Sequence, residues 1–225
     1  MSAAVLEAIE PNRLYERLLS AAMRTLGGGP PHGGRLRRAD GRLEPLPLAR
    51  WLGPADDADE VILARVEGPV LDIGCGPGRH VAALRAAGRE SLGIDLSPVA
   101  VSITRGRGAD AVLGSVFDDV PGAGRWGTAL LLDGNIGIGG DPAALLARVG
   151  ELLVRGGLVV VELDPPGAPT GRSRVRLEGP TVVSKWFTWA HVAADGVAAV
   201  ARGAGLEVAW TCSAGDRWFA ALRRP

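Results

Sequence analysis

The chain has 225 residues with 25 Lys+Arg against 25 Asp+Glu, a formal charge of zero, so no basic excess draws it to nucleic acid or to an anionic membrane. Its 47% hydrophobic content excludes a disordered chain, and the length fits one ordinary domain, with or without a small appendage. Two cysteines, Cys75 and Cys212, make neither a disulfide framework nor a four-ligand zinc site, and no metal is expected. No apolar run reaches the roughly 20 residues of a bilayer span. The start, MSAAVLEAIEPNR, has early acids and no basic region before an apolar core, so a cytoplasmic protein is expected. Lys185 is the only lysine, and 33 glycines with many alanines and arginines point to a GC-rich bacterial genome.

Val5, Leu6 and Ile9, then Leu14, Leu18, Leu19, Ala22 and Met23, mark helical spacing over 1–26, with Pro11 splitting the stretch or starting its second helix. A glycine- and proline-rich break at 27–34 follows. Ala39-Asp40-Gly41-Arg42 predicts a hairpin turn inside 35–52, and 55–66 a helix capped by Asp56 or Asp57. From residue 69, short Val/Leu/Ile runs at 70–74, 91–95, 111–114, 128–133 and 158–164 alternate with helical stretches, one of them 142–155. Near-continuous apolar strands separated by helices predict a parallel sheet covered on both faces. Residues 174–192 read as a hairpin or irregular excursion and 194–203 as a helix. Residues 206–212 and 217–224 are too close for a parallel crossover, so they predict an antiparallel pair. The division expected is an N-terminal helical and hairpin lid segment, 1–66, and a domain of alternating strands and helices, 67–225.

Gly74, Gly76 and Gly78 stand between the first long strand and its helix, where a turn lets a ligand approach backbone and helix N-terminus. The spacing is G-x-G-x-G, not the G-x-G-x-x-G of the dinucleotide fingerprint. Asp95 ends the next strand, where a carboxylate can accept from both hydroxyls of a ribose.

VLDIGCGPG (70–78), GIDLSPVAV (93–101), GSVFDDVP (114–121), LLLDGN (130–135) and LLVRGGLVVVE (152–162) resemble the class I S-adenosylmethionine-dependent methyltransferases over about 69–225. The resemblance implies an α/β Rossmann-like sheet of seven mostly parallel strands, order 3-2-1-4-5-7-6, with strand 7 antiparallel. It implies S-adenosyl-L-methionine as cofactor, with the Gly74–Gly78 loop, Cys75 included, under the methionine half and Asp72 steadying that loop. Asp95 would bind the ribose and Leu96 pack on the adenine. The family often places an Asp after the glycine that follows strand 3. Here Ser115 stands there and would accept from the adenine amino group, or Asp118 would substitute, while Val116 N–H would donate to a ring nitrogen.

Asp133 lies at the strand-4 end, facing either the methionine end of the cofactor or the acceptor, before a glycine-rich stretch, 136–140, that can close over the methyl donor. His191 is a candidate base, with Trp186 and Trp189 as an aromatic wall for a flat or cationic acceptor. His32, His80, Tyr15 and Trp51 are weaker candidates, and Arg35, Arg37 and Arg38 form a basic cluster, solvated or facing an anionic acceptor. Asp164-Pro165-Pro166 resembles the mark of amino methyltransferases, but follows the fifth strand and precedes Gly167 rather than an aromatic, so a nucleic-acid base is not the expected substrate. The function expected is methyl transfer to a small molecule by in-line displacement, in a monomer or homodimer. The alternatives are a non-catalytic S-adenosylmethionine-binding protein and a nicotinamide-dependent oxidoreductase.

Overall fold

The structure is a computed structural model that describes residues 8–25 and 33–225. Val5, Leu6, His32 and most of the 27–34 break lie outside the described residues. In chain order come β1 (Ala8–Ile9), α1 (Pro11–Thr25), β2 (Arg35–Arg38), β3 (Leu43–Pro45), α2 (Leu48–Leu52) and α3 (Asp57–Leu63). Then follow β4 (Val70–Ile73), α4 (Arg79–Ala86), β5 (Ser91–Asp95), α5 (Pro98–Gly106), β6 (Ala111–Leu113) and β7 (Trp126–Leu131). A 3-10 segment, Asn135–Gly140, leads to α6 (Pro142–Leu152) and β8 (Leu153–Leu163). β9 (Gly171–Glu178), β10 (Val183–Ser184), β11 (Phe187–His191), α7 (Val197–Gly203), β12 (Glu207–Ala214) and β13 (Arg217–Arg223) complete it.

The central sheet runs β6-β5-β4-β7-β8-β13-β12, with β13 antiparallel to both its neighbours. This is the order 3-2-1-4-5-7-6 that the resemblance implied. Strand alternation sends Leu71, Ile73, Leu131, Val159 and Val161 to one face, against Leu145, Leu146 and Val149 of α6. Val70, Leu130, Leu158 and Val160 meet Ile62 of α3 and Leu84 of α4 on the other. Both faces are covered, which is why these strands read as unbroken apolar runs. The helix expected to 155 ends at Leu152, because Leu153 turns extended and pairs with Trp126. Helix starts follow local chemistry: Ser97 and Asp141 cap α5 and α6 with Pro at the first turn, and Asp56 with Asp59 closes a capping box on α3.

The predicted hairpin forms, β2 with β3, and its strand β2 pairs antiparallel with β9 from the 174–192 excursion. Two sequence-distant segments thus share one six-stranded sheet, order β1-β10-β9-β2-β3 with β11 on β9, here called the lid sheet. Leu14, Leu18 and Leu19 of α1 join Leu48, Leu52, Leu177 and Ala100 in its supporting core. Met23 departs from the expected apolar stripe and is 46% exposed.

The lid sheet sits on the 3-10 segment through a close approach. A Cβ at Gly137 would lie 2.5 Å from Ala190 O and overlap the Trp189 indole. Gly137→Ala is therefore expected to cost about 1–3 kcal/mol by overpacking, read as a lower urea midpoint at unchanged slope.

Candidate active site

A cavity of about 670 Å³ opens at the carboxyl ends of β4, β5, β6 and β7 and is roofed by α1, α2 and the lid sheet. This is the side of an open α/β sheet on which ligands bind.

Its floor is the loop Gly74–Gly78. Gly74, Gly76 and Gly78 have φ of 67°, 54° and 77°. A Cβ at Gly78 would come within 2.7 Å of Thr104 Cβ, so only glycine admits both the turn and the contact with α5. Asn135 Nδ2 donates to Ile73 O and Gly74 O, each at 2.9 Å, and pins the loop from the 3-10 segment. Cys75 lines the cavity, and burial, with Asp72 and Asp95 nearby, pushes its thiol far up, so it stays neutral.

Asp95 joins the loop to the next strand end. Its Oδ2 accepts from Gly76 N–H at 2.9 Å and its Oδ1 from Ser97 N–H at 2.8 Å. Burial raises its pKa, and those two N–H donors act against the rise. Each oxygen keeps a free lone pair. Leu96 beside it is 53% exposed and lines the cavity, as do Ser115 and Val116. The Ser115 hydroxyl already accepts from Phe117 N–H at 3.1 Å, and Asp118 lies outside the cavity wall.

Asp72 and Gly78 are set behind the cavity rather than on its wall. Asp72 Oδ2 lies 3.4 Å from His80 Nδ1 without forming a hydrogen bond. His80 Nε2 is 3.2 Å from Asp59 Oδ1. Burial works against a charged imidazole here, but Asp59 and Asp72 outweigh it and push the pKa up to about 9. Protonated His80 thus bonds to α3 and faces β4.

Asp59 is the centre of a buried ionic cluster that sequence reasoning missed. It is fully buried and accepts from Arg79 Nε at 2.7 Å and Arg217 Nη1 at 2.8 Å. Arg217 also forks onto Glu162 at 2.8 Å through Nε and Nη2. The cluster continues to Asp133, expected to face the methionine end of the cofactor or the acceptor, whose φ of 55° is the one positive value among described non-glycine residues. Its N–H donates to Glu162 Oε2 at 2.7 Å, which holds that strained turn. Its carboxylate accepts from Arg79 and, at 2.5 Å, from Arg50 Nη2. Burial disfavours its charge, but the Arg79 hydrogen bonds prevail and hold the pKa below the usual carboxylate range. Asp133 is thus an anion fixed between two guanidiniums on the cavity wall.

The raised His80 pKa gives stability a pH dependence. The imidazolium contribution is fully present below the unfolded value of about 6.5 and is lost as pH rises through about 9. Unfolding free energy is expected to fall by up to about 3 kcal/mol across that window. Urea melts at stepped pH check this, and His80→Gln should flatten the slope.

The roof is set by strand alternation. Leu36 and Arg38 of β2 face the cavity, so the basic cluster divides between the two faces of the sheet. Phe187, Trp189 and His191 of β11 line the cavity at every second position. Trp186 does not: it lies under Arg176 and Arg174, 5.0 and 6.0 Å from their guanidinium carbons, so the expected aromatic wall contains Trp189 and Phe187 instead. Tyr15 meets Trp51 edge-on at 6.1 Å with its hydroxyl close over Gly76. Burial, then Asp95, keeps that phenol protonated. Arg50 Nε and Trp51 Nε1 are buried donors with no partner among the described residues. His191 Nε2 meets Arg38 Nη1 at 2.7 Å and Ser173 Oγ at 3.0 Å, and its Nδ1 lies 3.4 Å from Asp164 Oδ2.

Residues 70–157 match the family model described as a methyltransferase domain. That match runs from β4 into β8, over the strands that carry the glycine loop and Asp95, and the sheet order above is the one the resemblance to class I S-adenosylmethionine-dependent methyltransferases implied. No curated protein matches the sequence. A solved structure titled as a SAM-dependent methyltransferase from Bacteroides fragilis in complex with S-adenosyl-L-homocysteine has a TM-score of 0.76 at 21% identity, over 99% of each chain. The CcbJ methyltransferase of Streptomyces caelestis gives 0.59 at 18% identity, over 77% of this chain and 92% of that one. DesVI of Streptomyces venezuelae gives 0.56 at 19% identity, over 78% and 92%. The first likeness spans the lid as well as the central sheet. No described helix is long and apolar enough to cross a membrane.

Proposed function

We propose that the protein is a methyltransferase that binds S-adenosyl-L-methionine along the β4–β5 edge of the cavity and methylates a small molecule beneath the lid sheet. One observation carries this reading: a glycine loop and a carboxylate with free lone pairs, tied together through Gly76, on a cavity with room beyond them. The S-adenosyl-L-homocysteine in the Bacteroides fragilis structure, a protein of the same fold, supports it.

The residues fit that cofactor. Asp95 offers two acceptors to a ribose, Leu96 an exposed apolar surface to an adenine, and Ser115 with Val116 the adenine edge. The unpartnered donors Arg50 Nε and Trp51 Nε1 call for an anion near the glycine loop, and the methionine carboxylate is one. Asp72 and Gly78 support the loop from behind. When bound, S-adenosyl-L-methionine supplies a methyl group already activated by its sulfonium. The chain's task is then to align and to exclude water. Asp133 positions Arg50 and Arg79, Tyr15 and Trp51 close the loop side, and His191 is the group placed to take an acceptor proton. The same reading divides the chain at about residue 66, the lid sheet taking β1, β2 and β3 from before that point and β9, β10 and β11 from after it, and puts the enzyme in a bacterial cytoplasm.

Isothermal titration with S-adenosyl-L-homocysteine tests the proposal. Binding in the micromolar range is expected, and no heat at millimolar ligand defeats it. Turnover of S-adenosyl-L-methionine against an acceptor panel separates an enzyme from a non-catalytic binder.

A further inference from the structure

Arg38, Arg50 and Arg79 put three guanidiniums on the cavity wall. Arg79 has a side chain only 3% exposed and is held by Asp59 and Asp133, at 0% and 14%. Arg50 shares Asp133. Arg38 differs, because its carboxylate partner, Glu44, is 44% exposed. A pair open to water contributes little, whereas breaking a buried one strands a charge. Arg38 is therefore the one of the three that can exchange its carboxylate for that of a ligand. It stands on the face of the lid sheet that also carries Leu36, Leu177, Phe187 and Trp189, an apolar and aromatic surface.

Arg38 also covers His191. Its Nη1 donates to Nε2 at 2.7 Å, while Nε and Nη2 hold Glu44 at 3.0 and 3.4 Å. A guanidinium keeps its protons, so Nε2 is the acceptor, shared with the Ser173 hydroxyl at 3.0 Å, and the ring proton sits on Nδ1, toward Asp164. In this arrangement the basic nitrogen is engaged and cannot take a proton from an acceptor.

We infer that the methyl acceptor is a flat, apolar molecule bearing a carboxylate, and that the carboxylate draws Arg38 away from His191 and so frees Nε2 to receive the acceptor's proton. The inference rests on the methyltransferase reading. A carboxylate matches the guanidinium fork as Glu44 does, and taking that fork turns Nη1 off the imidazole. Where the acceptor group is a hydroxyl, as in the probes below, its oxygen bonds the methyl carbon, the carbon–sulfur bond breaks with its electron pair staying on sulfur, and the hydroxyl proton passes to Nε2. A neutral analogue leaves Arg38 where it is. Arg38 is thereby a recognition residue for substrate and a positioning residue for the base.

The test uses the full chain saturated with S-adenosyl-L-homocysteine, with 4-hydroxybenzoate and 4-hydroxybenzamide as probes. The acid is expected to bind at least tenfold more tightly than the amide. Arg38→Met should abolish that preference without changing S-adenosyl-L-homocysteine affinity, and Glu44→Gln should strengthen acid binding several-fold by removing the competitor. The ¹⁵N signal of His191 Nε2, assigned by its loss in His191→Gln, should move with the acid and not with the amide. In Arg38→Met it should stand displaced without any ligand. An acid that binds no better than its amide at millimolar concentration, or an Nε2 signal indifferent to Arg38→Met, overturns the inference. Failure of S-adenosyl-L-homocysteine itself to bind overturns the methyltransferase reading and this inference with it.

Discussion

Asp59→Ala is expected to destabilise the protein by about 3–5 kcal/mol, the cost of leaving partner charges buried without their counter-ion. The substitution removes the shared acceptor of Arg79, Arg217 and His80, all nearly buried, and the half of the capping box in which Asp59 accepts from Asp56 N–H at the start of α3. Three cations then face one another, with Asp133, Glu162 and Asp72 left to hold them. A chain of this size should lose roughly 10 °C of melting temperature. Chemical denaturation gives the free energy directly. A loss under 1 kcal/mol would show that the cluster relaxes into water and does not tie α3, α4 and β13 together. Asp59 lies off the cavity wall. Whatever Asp59→Ala does to ligand binding must therefore come through Arg79, which bonds both Asp59 and Asp133, and Arg217, which bonds both Asp59 and Glu162 on the cavity wall.

The second large effect is expected at Asp95. Asp95→Ala should weaken S-adenosyl-L-homocysteine binding about 100-fold or more, since two hydrogen bonds to a charged acceptor contribute roughly 1.5–3 kcal/mol each. It also releases Gly76 N–H and Ser97 N–H, so loop order is lost along with the proposed ribose contacts. Asp95→Asn separates the two effects. An amide keeps one acceptor oxygen and no charge, and should lie between wild type and Asp95→Ala in titration calorimetry. Unchanged affinity in Asp95→Ala would sink the ribose assignment while leaving the fold intact.

The central domain was legible because its signals are local. A buried parallel strand announces itself as a run of Val, Leu and Ile, and 158–161 is such a run. The turn at Gly74–Gly78 needs positive φ at three positions, and only glycine supplies that freely. Ser97-Pro98 and Asp141-Pro142 are helix starts written in two residues. The same locality explains the misplaced boundary of α6. Residues 153–155 suit a helix by themselves, and what makes them extended is pairing with Trp126, a contact absent from the local pattern. In the lid, the alternation within β2 was visible, but not which face of that hairpin would look inward. Arg38 and Trp189 turn into the cavity, and Arg37 and Trp186 do not, because β2 and β11 both pair with β9.

Periodicity, turn chemistry and a backbone conformation open to one residue type act over a few positions, so strand succession, the glycine turn after β4 and the carboxylate at the end of β5 could be read from residue order. The ionic cluster could not. It joins Asp59 to Arg217 across 158 positions and Arg217 to Glu162 across 55, and none of those residues has its partner among its neighbours in the chain. Nor could the roof, whose hairpin bonds Arg37 to Glu178 across 141 positions. Charges are buried only where packing brings opposite signs together, and that pairing is a property of the folded arrangement, not of any segment.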